Sequence, residues 1–242
     1  MRHHTMASPE QKALIENILV QGRALLNAPR CKVDFKTGIA EAEKLLNDIE
    51  KFPHLYVYGC VMDRQISYGK AWSIPYRVGQ IIDGFGFESF ERLSIEEFER
   101  IFSEEKLHRF NTVMARIFYN VTRRICELYD GDASTIWSGN PQSALVIRRF
   151  LEFDGAGIKI ATMAANILVR EFKVPMRSHH SIDISPDSRV ARFFKDNGFL
   201  EANASEAQLI YLARELSPEF PGLLDYGAFM AGEYKRKSSA KK

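Results

Sequence analysis

Leu107, Phe110, Val113, Met114, Ile117, Phe118, Val121, Ile125 and Leu128 recur mostly at steps of three and four residues. That spacing gathers side chains on one face of a helix and would scatter them over both faces of a strand. The stripe stops at the turn signal Asp130-Gly131-Asp132-Ala133, so one long amphipathic helix is predicted. Helix starts are marked with equal clarity elsewhere. Ser8 with Gln11, Ser94 with Glu97 and Ser205 with Gln208 each have the spacing of a capping box, and Pro9 stands at a first helical position.

Further helices follow from the same pattern. The first buries Leu14, Ile15, Ile18, Leu19, Leu25 and Leu26; a second, over about 37–52, buries Ile39, Leu45, Leu46 and Ile49. The segment "HLYVYGCVM" is apolar on nearly every side, which fits a buried strand or a buried helix, and its helical neighbours favour the helix. Ser67 is placed to cap the next helix, with Pro75 predicted to break or kink it. Helices are then predicted from Pro141 to about Glu152 and on to about Phe172. A short one is opened by Pro186 and ended by Gly198, and a last one covers about 221–234. No strand pairs are evident. The expected class is all-α.

A chain of 242 residues can bury one or two cores, and 45% hydrophobic with 26% charged residues is the balance of a soluble globular protein. The net charge of +2 means that any nucleic-acid face must be local. One local candidate is the basic tail, 235–242, with Lys235, Arg236, Lys237, Lys241 and Lys242; it reads equally as a solvated terminus. Cys31, Cys60 and Cys126 are odd in number and far apart, which argues against a disulfide framework or a metal site and for a reducing compartment. No signal peptide or membrane-spanning stretch is present, so no membrane partner is expected.

Chemistry enters at "FDGAGIKIATMAANIL", residues 153–168. Gly155 and Gly157 precede a helical pattern that carries Lys159, and Ala161 and Ala165 are small enough for a close helix pair. Glycines at such a joint free the backbone and leave amides at a helix start, a natural phosphate site. A plain helix–turn–helix joint with a surface lysine has the same spacing. Downstream, "DISPDSRVARFFKDNGF" (183–199) puts Asp187 at the start of a short helix, followed by Arg189 and Arg192.

Taken together, the two motifs resemble the helix-hairpin-helix DNA glycosylases of the endonuclease III superfamily. "FDGAGIKIA" stands where that family has an "LPGVGRKTA"-like hairpin, and "PDSRVAR" where it has a "VDTHVxR"-like segment. "CVMDRQISYGKAW" is similar to the family's helix carrying a glutamine that probes the duplex. The resemblance covers most of residues 50–235. It implies a two-lobed all-α fold: a central lobe over 55–175 ending in the hairpin, and a second lobe of 1–54 with 176–242 carrying the aspartate. It further implies Lys159 as the Schiff-base lysine, Asp187 as the catalytic aspartate, and Gln65 near the intercalating glutamine. Gly155, Gly157, Arg64 and Arg189 are the implied DNA contacts, with Asp63 and Arg64 able to do work similar to that of Gln65.

The implied activity is a DNA N-glycosylase with AP lyase activity on double-stranded DNA bearing a damaged base or an abasic site. Oxidised pyrimidines and oxidised guanine both fit as lesions. The implied state is a monomer, cytoplasmic and nucleoid-associated, or nuclear in a eukaryote. Alternatives are a non-catalytic helix-hairpin-helix DNA-binding protein, a monofunctional glycosylase using water, and a structural all-α protein.

The chain departs from the family pattern in several places. Asp154 replaces the hairpin's usual proline and Arg189 the usual histidine, while Asp183 competes with Asp187 for the aspartate's role. Where many relatives hold a four-iron cluster, "AGEYKRK" has no cysteine. No iron–sulfur cluster, no required cofactor and no metal site are therefore expected, and a monovalent cation at the hairpin is compatible. His179 and His180 near Asp183 lack ligand spacing and read as solvated. Arg148 and Arg149 fit either a DNA backbone contact or a solvated helix face.

Overall fold

Ser8, Ser94 and Ser205 cap their helices as their spacing predicts: each hydroxyl accepts the N3 amide, and the N3 side chain accepts the serine's own amide. They begin three of the helices in a computed structural model that describes residues 8–239, with side chains through residue 231. Among the described residues all regular structure is helical. In chain order the helices are α1 (Pro9–Asn27), α2 (Ala40–Asn47), α3 (Pro53–Met62), α4 (Tyr68–Ile81), α5 (Phe87–Glu91), α6 (Ile95–Glu104) and α7 (Asn111–Tyr129). A 3-10 turn (Ala133–Ile136) leads to α8 (Ser143–Leu151), α9 (Ile158–Arg170), α10 (Ser188–Asp196), α11 (Glu206–Leu216) and α12 (Leu223–Ser239). No helix among them is long and apolar enough to cross a membrane. The side chains of the basic tail, 235–242, lie outside the described residues.

The ambiguous segment is α3, and every one of its residues is buried. It is ringed by α2, α4, α7, α9 and the 3-10 turn, which is why no polar face shows in its sequence. Its polar atoms find partners on the surrounding helices. Tyr56 donates to the Ala164 carbonyl of α9 at 2.8 Å, and the Tyr58 hydroxyl meets Thr122 Oγ1 of α7 at 2.7 Å. Unpaired, each buried hydroxyl would cost about 1–3 kcal/mol. On α7 the predicted stripe faces inward through Met114, Phe118, Val121 and Ile125. Phe110, Val113 and Leu128 at its margins stay exposed.

Several boundaries differ from expectation. The second helix is half the predicted length, because Glu43 draws the preceding loop onto itself and Asp48 ends it. The Glu43 carboxylate accepts the Thr37 amide at 2.8 Å and the Phe35 amide at 3.0 Å, and the Asp48 carbonyl accepts the amides of Lys51 and Phe52. Pro75 lies inside α4 and does not end it; the residues around it are buried, and α4 packs along α3. The short helix begins after Asp187 rather than at Pro186, since the Asp187 side chain caps it. At the other end of the molecule α1 crosses α12 closely: a side chain at Gly22 would strike the Leu223 carbonyl. The first and last helices thereby pack together, with α10 against α12.

Gly59 of α3 lies against the Trp72 ring of α4, where an added Cβ would come within 2.4 Å of the indole. Gly59→Ala is therefore expected to lower unfolding stability by about 2 kcal/mol despite alanine's better helix propensity. A Cβ at Gly157 meets nothing, and Gly157→Ala is expected to change stability by less than about 0.5 kcal/mol. Urea unfolding of both variants checks the contrast; equal losses would contradict it.

Candidate active site

Three helix ends converge on one lysine. Lys159 is the second residue of α9, Asp63 follows the last residue of α3, and Asp187 is the N-cap of α10. Lys159 Nζ donates to Asp63 Oδ2 at 3.2 Å and lies 3.6 Å from Asp187 Oδ2. The lysine side chain keeps 31% of its surface exposed, against 10% for Asp63 and 21% for Asp187, so the cluster opens at the lysine. Burial pushes the Asp63 carboxyl up, the Lys159 ammonium pulls it down, and the Asp187 charge pushes it up again.

The sequence puts Asp187 at the start of a short helix, and its two carboxylate oxygens face different groups there. Oδ1 accepts the Arg189 amide at 2.9 Å, and Oδ2 faces Lys159. Its rival Asp183 is occupied elsewhere. Arg214 of α11 grips that carboxylate with two bonds, at 2.8 and 2.9 Å, and the Asp183 carbonyl accepts Asn166 Nδ2.

The segment between these aspartates is held to both neighbouring helices. Ser185 Oγ donates to the Lys159 carbonyl at 3.3 Å, and the Ser185 amide donates to Asp225 Oδ1 of α12 at 3.1 Å. Burial pushes the Asp225 carboxyl up to about 6, opposed by Arg170, whose Nη1 lies 3.7 Å away. Neither Asp225 nor Arg170 was a sequence candidate. Each looks like an ordinary charge in an amphipathic helix, and only the packing of α9 on the chain's end buries them.

The hairpin glycines differ. Gly155 has φ +83° and packs against Arg64 and Ile117, so it meets the expectation of a glycine-only backbone. Gly157, the N-cap of α9, does not: at φ −84° and ψ −175° it is extended, a conformation open to any residue. Open space lies where its side chain would be. Asp154 accepts Asn120 Nδ2 at 2.7 Å, tying the hairpin to α7.

Arg64 and Gln65 are exposed in the loop from α3 to α4, with Gln65 at φ +54°. His108 holds that loop, its Nε2 against the Arg64 carbonyl at 2.9 Å while Nδ1 accepts the Phe110 amide. Arg189 stacks over Phe229 of α12, 4.7 Å from the ring centre. Arg149 donates to the carbonyls of Thr135 and Ile136, which turns it inward; Arg148 sits by Glu152 on the surface. His179 lies against Phe220 and His180 is exposed. Among the described residues no group of three or more His, Cys, Asp or Glu is placed to hold a metal. Cys60 is buried within α3, Cys31 is exposed and Cys126 lies by Glu91. These scattered thiols do not fit a four-thiolate iron–sulfur cluster.

Asp63 is the residue that sequence reasoning undervalued. It was grouped with Arg64 and Gln65 as a neighbour able to probe the duplex, and it turns inward to the lysine instead. The available signal was its position: an acid that directly ends a helix apolar on nearly every side.

No protein-family model matches the chain, and no curated protein does. Among solved structures the chain is similar to a trapped endonuclease III–DNA covalent intermediate, an estranged-adenine complex. The likeness has a TM-score of 0.58 at 15% identity and covers 92% of this chain and 86% of that one. At that identity it is a likeness of fold: the chain has the all-α, helix-hairpin-helix glycosylase fold.

Proposed function

We propose that this chain is a base-excision DNA N-glycosylase with AP lyase activity, acting on a flipped-out damaged nucleotide in double-stranded DNA. The observation that carries the proposal is Lys159 Nζ, 3.6 Å from the carboxylate capping α10 and at the head of a hairpin helix. The amine attacks C1′ and the base departs with the electron pair of the glycosidic bond. The sugar ring then opens at C1′–O4′, with O4′ taking that bond's pair and a proton, and the resulting imine allows β-elimination of the 3′ phosphate. Asp187 is placed to stabilise the positive sugar that develops as the base leaves. The space beside Gly157 suits a phosphate approaching the amides at the start of α9. Arg64 packs against the hairpin at Gly155, and Gln65 beside it is suited to fill the gap left by the flipped base. The fold shared with a protein solved on DNA supports the same assignment.

Borohydride trapping on a duplex with a single abasic site or oxidised base tests this directly. The native protein is expected to form a covalent adduct that Lys159→Gln abolishes. Base release without an adduct, lost in Asp187→Asn, would instead identify a monofunctional glycosylase using water. Binding without base release or adduct would leave a DNA-binding module.

The hairpin has its own test. Gly157→Val is expected to weaken binding to an abasic-analogue duplex by about tenfold or more, the scale of one hydrogen bond to a charged group. Its thermal midpoint should match that of the native protein. Undiminished affinity would remove the hairpin from the DNA interface.

A further inference from the structure

We propose that Asp63 is the proton acceptor that makes Lys159 a nucleophile, a positioning and proton-holding residue distinct from Asp187. The proposal rests on the lysine chemistry above and deepens it. Asp63 is the nearer carboxylate, hydrogen-bonded at 3.2 Å where Asp187 lies at 3.6 Å.

The two acids also stand at opposite kinds of helix end. Asp187 caps the N-terminus of α10, where the helix dipole favours a negative charge and the Arg189 amide binds one oxygen. Asp63 follows the C-terminus of α3, where the dipole disfavours one, and 8% of its surface reaches solvent. Every group facing Asp63 fits this division. Lys159 comes from α9, Asp187 and Arg189 from the start of α10, Tyr68 from α4 and Cys60 from α3. Burial pushes the tyrosine and the thiol up, so both stay neutral near pH 7, and Lys159 is the donor in hydrogen-bond contact. Burial pushes the Asp63 carboxyl up as well, in keeping with an acceptor rather than a fixed anion.

On an abasic site the step balances as follows. One Nζ–H bond breaks, the proton passes to Asp63 Oδ2, and the electron pair left on nitrogen attacks the C1′ aldehyde. A second Nζ proton moves to the former carbonyl oxygen to give the neutral carbinolamine, which expels water with the proton returned from Asp63 and leaves the protonated imine and an Asp63 carboxylate.

The measurement is the rate of borohydride trapping on an abasic duplex between about pH 6 and pH 10. Asp63→Asn is expected to trap about 100-fold more slowly at pH 7, a typical loss for one proton-transfer group. The deficit should narrow as pH rises toward about 10, because solvent and hydroxide then take the proton that Asp63 takes at neutral pH. Formate should restore trapping to Asp63→Ala. Equal or faster trapping by Asp63→Asn at pH 7 overturns the proposal, because a carboxylate that only neutralises the ammonium would slow attack, not help it. So does failed formate rescue in an Asp63→Ala protein that binds an abasic-analogue duplex normally. Asp63→Glu covers an amide variant that does not fold: keeping a carboxylate, it should trap faster than Asp63→Ala at pH 7, and a rate no higher than that of Asp63→Ala overturns the proposal. A native protein that forms no adduct at any pH would instead sink the underlying lysine chemistry.

Discussion

One ammonium shared by two carboxylates, all largely removed from water, is the contact around which the helices of this protein are arranged. Lys159 and Asp63 are separated by 96 residues, so their meeting reflects the fold and not local chain geometry. Burying such charges costs several kcal/mol per ion unless they are paired. The pairing in turn requires α3 to end, and α9 and α10 to begin, at the same place. A wholly buried α3 meets the first requirement by having no solvent face to turn outward. The hairpin meets the second, because the left-handed backbone at Gly155 reverses the chain just ahead of α9.

Beneath this contact lies a second layer of buried polar groups that fixes the start of α10. Ser185 bridges the Lys159 carbonyl and Asp225, and Asp225 answers Arg170. Arg170 Nη1 also donates to the Gly222 carbonyl at 3.3 Å, just before α12. The result couples α9, the segment carrying Asp187, and α12, so the carboxylate facing the lysine is placed from α9 and from α12. Since α1 packs on α12, even the N-terminal helix bears indirectly on the geometry around Lys159.

Local features were legible in the sequence because their physics is local. Capping boxes, most of the α7 stripe and the left-handed glycine of the hairpin each declare themselves within a few residues and lie where expected, while Leu107 and Phe110 precede α7 and Gly157 is extended. The short α5 and the 3-10 turn span less than the window over which periodicity can be read. Glu43 shortens α2 by reaching across to Phe35 and Thr37, a competition that propensity does not encode. At the candidate site, the pairing of Lys159 with Asp187 followed from motif resemblance. Asp63 escaped because its neighbours Arg64 and Gln65 point outward, and adjacent residues in a loop give no sign of which way each turns.

The hairpin itself is poor in charge for a surface meant to meet a polyanion. Asp154 places an acid beside its glycines, and its recorded partner Asn120 is neutral and cancels none of that charge. The nearby cations are partly committed: Arg149 holds carbonyls, while Arg64 packs at Gly155 with its carbonyl held by His108. With a net charge of only +2, long-range attraction is weak. Such a surface suits placing a phosphate already delivered better than capturing duplex at a distance. On the proposed reading that placement falls to the main-chain amides at the start of α9, since amides at a helix start can orient a phosphate within hydrogen-bond reach without regard to base sequence. On that same reading the open side of Gly157 matters, because a side chain there would hold a phosphate away from the amides at the start of α9.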